Sequence, residues 1–147
     1  MKGYKKILVP LDGSAISEAI LPEIEKLASF FGADISLLYV VPIPIFPGVM
    51  EPVVTYQTIS DTLMQDAEAY LGKIEKRLKG KGLTVETHLE QGNEAQQILE
   101  YCDREDIDLI AMSTHGRSGV SRWLLGSVAE KVIRHATKPI FLVRSAG

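Results

Sequence analysis

Residues 114–132, THGRSGVSRWLLGSVAEKV, gather three glycines and two arginines ahead of an amphipathic stretch. The chemistry open to such a run is anion binding. A helix start presents backbone N–H groups without intrahelical acceptors, together with a partial positive charge. Gly116 can turn the chain sharply, nine residues follow, and Gly126 then lets backbone approach an anion with no side chain in the way. Ser127 adds a hydroxyl donor at the helix start. Two plainer readings compete: a long surface loop, and a capping box formed by Ser127-x-x-Glu130.

Known phosphate loops do not account for the segment. No glycine is followed by lysine and Ser/Thr, so the Walker lysine is missing. G-x-G-x-x-G is also absent, and the first apolar run leads into DGSAIS instead. Asp12 in that run either starts an Asx-turn or faces a ligand. His115 is either a loop histidine bonded to backbone or a ligand contact whose charge would follow pH. His135 falls in a last helical turn, where it complements the dipole, and His88 lies on a strand. Cys102 continues the stripe Ala95, Ile98, Leu99 and reads as core. The acidic residues Asp103, Glu105, Asp106 and Asp108 straddle a helix end and suggest a solvated turn, not a metal site.

The elements that must position these residues follow from periodicity. KKILVPL (5–11) is a buried strand stopped by DGS, and apolar residues from Ser14 to Phe31 recur at helical spacing. Pro22 should kink that helix or sit in its first turn, and Gly32 ends it. DISLLYVV (34–41) is a strand apolar enough to be covered on both faces. Residues 42–57, with four prolines, read as a long loop, a mobile cover or a partner surface. A helix over 59–78, a strand over 83–90, a helix over 93–105 and a strand over 108–113 come next. A helix from Ser127 to His135 and a strand over 138–143 complete the pattern.

Alternating strands and helices predict an α/β fold: one domain over 1–147, a doubly wound five-stranded parallel sheet with helices on both faces. The expected arrangement is Rossmann-like, with strand order 3-2-1-4-5. Ligands in such sheets bind beyond the carboxyl ends of the strands where the order reverses, here past Asp12 and Ser113. A formal net charge of −3 disfavours nucleic acid or an anionic membrane as the main partner. A single cysteine excludes an intramolecular disulfide. The short apolar run ended by Asp12 is not a secretory leader, and no apolar run approaches ~20 residues, so the expected location is cytoplasmic.

KILVPLDGS, LLYVV, DLIAMSTHGRSG and LLGSVAEKVIRHATKPIFLV together resemble the universal stress proteins, in particular their ATP-binding branch. That branch carries G-x-x-G, nine residues, then G-[ST]; here Ser113 stands where the first glycine falls. The resemblance implies ATP or another adenine nucleotide, with Mg2+ or Mn2+ at Asp12. Pro10, Leu11 and Asp12 are then the first strand's share of the site. Val40 offers backbone hydrogen bonds to adenine, and Pro10 and Met112 border the base. The phosphates lie against Ser113, His115, Gly116, Arg117, Gly126, Ser127 and Val128. A homodimer through the last strand, Ile140 to Arg144, is also implied. The function expected is a nucleotide-binding regulator acting on an unknown protein partner. A slow ATPase or phosphotransferase in the same pocket, and an interaction protein without nucleotide, are the alternatives.

Overall fold

The structure, a computed structural model, describes residues 3–44, 53–116 and 125–144, with the side chains of 53–56 set aside. Arg117 and most of the loop that contains it therefore lie outside the described residues. The elements run β1 (Lys6–Leu11), α1 (Leu21–Phe31), β2 (Asp34–Val41), α2 (Val53–Lys79), β3 (Val85–Gln91), α3 (Glu94–Arg104), β4 (Leu109–Ser113), α4 (Ser127–His135) and β5 (Ile140–Val143). All strand pairs are parallel and the sheet order is β3-β2-β1-β4-β5, as expected.

Alternation along the strands divides the core. Ile7, Val9, Ile35, Leu37, Leu109 and Ala111 face α1 and α2, burying Leu21, Ile24, Leu71, Ile74 and Leu78. Leu8, Leu38, Val40, Ile110 and Met112 face α3 and α4, against Ile98, Tyr101, Cys102, Ala129 and Val132. Each fully buried leucine or isoleucine contributes roughly 1.5–3 kcal/mol. Burial raises the thiol pKa of Cys102, which is core as its stripe suggested.

Two boundaries differ from expectation by more than two residues. The helix anticipated from Ser14 begins instead with a 3₁₀ turn, Ser17–Ile20, and becomes α-helical at Leu21. Serine side chains hold the preceding residues in a turn, and Pro22 occupies the first turn of α1, where its missing N–H costs nothing. The proposed loop 42–57 is shorter, because α2 already starts at Val53 and runs 27 residues. Pro52 followed by Val-Val-Thr-Tyr looks like a helix breaker and poor helix formers, and this masked the start. Residues 45–52 lie outside the described chain.

A polar contact sits within the sheet's α3 side. The hydroxyl of fully buried Ser36 donates to Glu86 Oε1 at 2.7 Å, and Lys6 Nζ stands 3.1 Å from the same oxygen. The Ser36 hydrogen bond first, and then Lys6, hold the Glu86 carboxyl below its ordinary range against partial desolvation. A carboxyl depressed in the folded state stabilises above its unfolded pKa and loses that contribution as pH falls through the folded value. Glu86→Gln should therefore cost about 0.5–1 kcal/mol at pH 7. In urea denaturation followed across pH, the gap from the parent should close below about pH 4; a gap constant with pH would contradict this account.

Candidate functional site

β1 and β4 are neighbours for only part of their length. Their ladder runs through Ile7↔Leu109 and Leu8↔Ile110, whereas β1 stays paired with β2 as far as Leu11↔Tyr39. Pro10, which has no N–H to donate, lies just past the last β1–β4 pair. Beyond that point the two strand ends enclose a cleft of about 250 Å³. Every expected site residue within the described chain lines it: Pro10, Leu11 and Asp12 from β1 and its turn; Val40 from β2; Met112, Ser113, His115 and Gly116 from β4 and beyond; Gly126, Ser127 and Val128 at the start of α4.

The DGS turn is built around Asp12. Its Oδ1 accepts from the backbone N–H of Ser14 at 2.9 Å and from the Ser14 hydroxyl, which is the anticipated Asx-turn. Gly13 adopts φ +86°, a left-handed conformation, and a Cβ there would come within 3.2 Å of the Tyr39 hydroxyl. The turn and the cleft-facing role coexist, because Asp12 Oδ2 is directed across the cleft at Gly116. A Cβ on Gly116 would meet that oxygen at 2.7 Å.

Opposite lies a narrow neck. Thr114 donates its N–H to Val143 O, and its own carbonyl accepts from Gly126 N–H, both at 2.9 Å. The chain therefore leaves β4 at Thr114 and returns to that residue at Gly126, twelve positions on and immediately before α4. A Cβ on Gly126 would come within 3.1 Å of Thr114 O and 3.3 Å of His115 Cα, both backbone atoms. Gly126 has φ −63° and ψ 155°, which any residue can adopt. A side chain is opposed here by close approach to backbone, not by a forbidden φ.

Ser113 carries no positive φ, so the family's first glycine is not needed for conformation at this position. Its hydroxyl instead accepts from His115 N–H at 3.4 Å. His115 is buried, with Nδ1 3.0 Å from the Thr114 hydroxyl.

The capping box does not form. The N-cap of α4 is Gly126, with no side-chain hydrogen bond, and Ser127 is already the first helical residue. Glu130 pairs with Arg134 at 2.8 Å instead of reaching back. An uncapped helix start with a hydroxyl beside it thus opens into the cleft, the arrangement that favours an anion.

Ser17, Pro42, Glu94, Thr114 and Ala129 also line the cleft and were missed from the sequence. Glu94 was legible in principle, because it begins the helix that follows β3 at the carboxyl edge of the sheet. The other candidates stay structural. His88 rests against the Tyr101 ring at 4.9 Å between centroids, and Asp108 Oδ2 accepts from the backbone N–H groups of Lys5 and Lys6. Among the described residues no cluster of three His, Cys, Asp or Glu side chains could hold a metal by itself.

A model of the universal stress protein family matches residues 3–144. The chain belongs to that family. It is 35% identical over 141 residues to universal stress protein MJ0531 of Methanocaldococcus jannaschii, covering 96% of this chain and 82% of the relative. The structure of hypothetical protein MJ0577, also of Methanocaldococcus jannaschii, superposes with a TM-score of 0.87 at 27% identity, covering 98% of each chain. A universal stress protein crystallised in complex with cAMP shares the fold at a TM-score of 0.65 and 20% identity, covering 99% of this chain and all of that one. No helix among the described residues is long and apolar enough to cross a membrane.

The helix start gives the first test of this family member's site. Since Ser127 caps nothing, Ser127→Ala should lower stability by well under the ~1 kcal/mol typical of a lost cap. Urea denaturation measures this directly, and a loss of 1 kcal/mol or more would mean that the hydroxyl caps α4 after all.

Proposed function

We propose that this universal stress protein is a regulatory module that binds an adenine nucleotide, ATP in the first instance, in the cleft between the ends of β1 and β4. The observation that carries the proposal is that the start of α4, with no side-chain cap and with Gly126 against His115, lines the cleft; the first N–H groups of a helix have no intrahelical acceptor and suit an anion. The phosphates would lie against Ser113, His115, Gly116, Gly126, Ser127 and Val128, with Arg117, outside the described residues, as a counter-charge. Val40 and Met112 give the cleft apolar walls suited to a purine, with Pro10 beside them. A universal stress protein of the same fold accommodates cAMP, which is in keeping with an adenine ligand.

Asp12 fits a divalent cation that arrives with the phosphates. Mg2+ and Mn2+ take hard oxygen donors and are commonly held by one or two carboxylates plus phosphate oxygens. Bound there, the cation would neutralise phosphate charge. Binding is favoured over efficient phosphoryl transfer, which also needs a group placed to orient the nucleophile. Asp12 Oδ1 is committed to Ser14 and His115 Nδ1 to Thr114.

β5 is an outermost strand, pairing with β4 through Ile110↔Ile140 to Ser113↔Val143. We propose that its outer edge pairs antiparallel with a second copy over Ile140 to Arg144, covering an apolar edge that would otherwise invite aggregation. Leu142→Lys should then sediment as a monomer while its circular dichroism matches the parent; a dimer of unchanged stability would move the interface elsewhere.

Gly126→Val tests the nucleotide site. Its side chain would press on the backbone at Thr114 and His115 and force the helix start away from the phosphates. Calorimetric titration should show ATP binding by the parent and at least tenfold weaker binding by the variant, with circular dichroism confirming that it stays folded. A folded variant that binds ATP as tightly as the parent sinks the proposal, and so does a parent that takes up no adenine nucleotide.

A further inference from the structure

The cleft carries one anionic side chain that the phosphate chemistry does not explain. Glu94 lines the same cleft as the glycine neck, but it follows β3, on the β2 side of the sheet, whereas the neck follows β4. β3 pairs with β2 through Val40↔Glu90 and Val41↔Gln91, and Gly92 N–H then donates to Val41 O at 2.9 Å. Immediately after, the Asn93 side chain accepts from Gln96 N–H and caps α3, which fixes the first turn that bears Glu94. The side chain is half-buried. Across the sheet order, the end of β3 lies three strand spacings from the end of β4, about 14 Å. Val40, at the end of β2, stands between them, and Met112 lies on β4 itself.

A carboxylate is misplaced beside phosphate but suited to a hydrogen-bond donor at the far end of the same ligand. In an adenine nucleotide that donor is the 6-amino group, and a carboxylate accepts without offering a proton in return. We infer that Glu94 is a specificity-determining residue whose carboxylate accepts a hydrogen bond from the 6-amino group of the bound purine. The inference rests on the nucleotide site proposed above. It assigns selection at the base to a side chain, in addition to the backbone of Val40.

Purine riboside triphosphate lacks only the 6-amino group of ATP, so the ratio of the two dissociation constants isolates this contact. Removing the Glu94 charge strengthens binding of both triphosphates alike, and that effect cancels in the ratio. By calorimetry the parent should prefer ATP, and Glu94→Ala should reduce that preference about tenfold, the size expected for a hydrogen bond to a charged group. Glu94→Gln keeps an acceptor oxygen and should retain part of the preference, which a merely structural role would not produce. Circular dichroism checks both variants, and the glutamine variant carries the test if the alanine variant does not fold. ATP bound by the parent with an unchanged ratio in the variants overturns the assignment of Glu94 alone. Binding of neither triphosphate by the parent overturns the nucleotide site and this inference with it.

Discussion

The early end of the β1–β4 ladder is the constraint from which the site follows. Had the two strands stayed paired to their tips, Asp12 and Ser113 would be backbone neighbours with no room between them. Pairing instead stops at Leu8↔Ile110 while both strands continue, and Pro10 supplies no donor with which to extend it. The opening falls at the reversal of strand order, where helices of successive crossovers leave on opposite faces of the sheet. Asp12, Val40 and Met112 therefore converge on the cleft without sharing an element.

The packed faces keep that opening rigid. Leu8, Ile98, Ile110 and Val132 are fully buried beneath it, so α3 and α4 are fixed relative to the sheet. On the other face, Tyr70 of α2 donates to Glu18 at 2.8 Å, and its ring meets Tyr39 edge-on at 5.9 Å between centroids. Burial, with the Glu18 carboxylate beside it, raises the Tyr70 phenol pKa well above its usual value, so the donor persists through neutral pH. Tyr39 in turn closes over Gly13, so the long helix supports the Asp12 turn from behind.

Much of this was legible because the strands are short apolar runs and the amphipathic helices are strongly periodic. The buried stripes of α3 and α4, the Asx-turn at Asp12 and the helix start at Ser127 all follow from local chemistry. What sequence spacing could not separate were alternatives with the same letters. Ser127-x-x-Glu130 fits a capping box, yet Arg134 competes for Glu130 and Gly126 takes the N-cap position. Gly126 reads from the sequence as a place where backbone approaches an anion, while the structure also brings it against backbone at Thr114 and His115. Glu94 could have been placed near the cleft from the expected strand order, but no local motif marks it, because it is simply the first residue of α3 after its Asn93 cap. The start of α2 was hidden by β-branched residues whose weak helix propensity is overridden in the fold.

Thr114 belongs to two hydrogen-bonded systems at once. Its N–H continues the β4–β5 ladder through Val143, and its carbonyl holds Gly126 at the mouth of α4. The outer edge of the sheet and the head of the helix are thus separated by one residue, in the bend that follows β4. Mechanically, Thr114 acts as a short lever arm with a fixed pin at either end. Any displacement of β5 that keeps both bonds intact must move the Thr114 peptide, and with it the acceptor to which the head of α4 is tied.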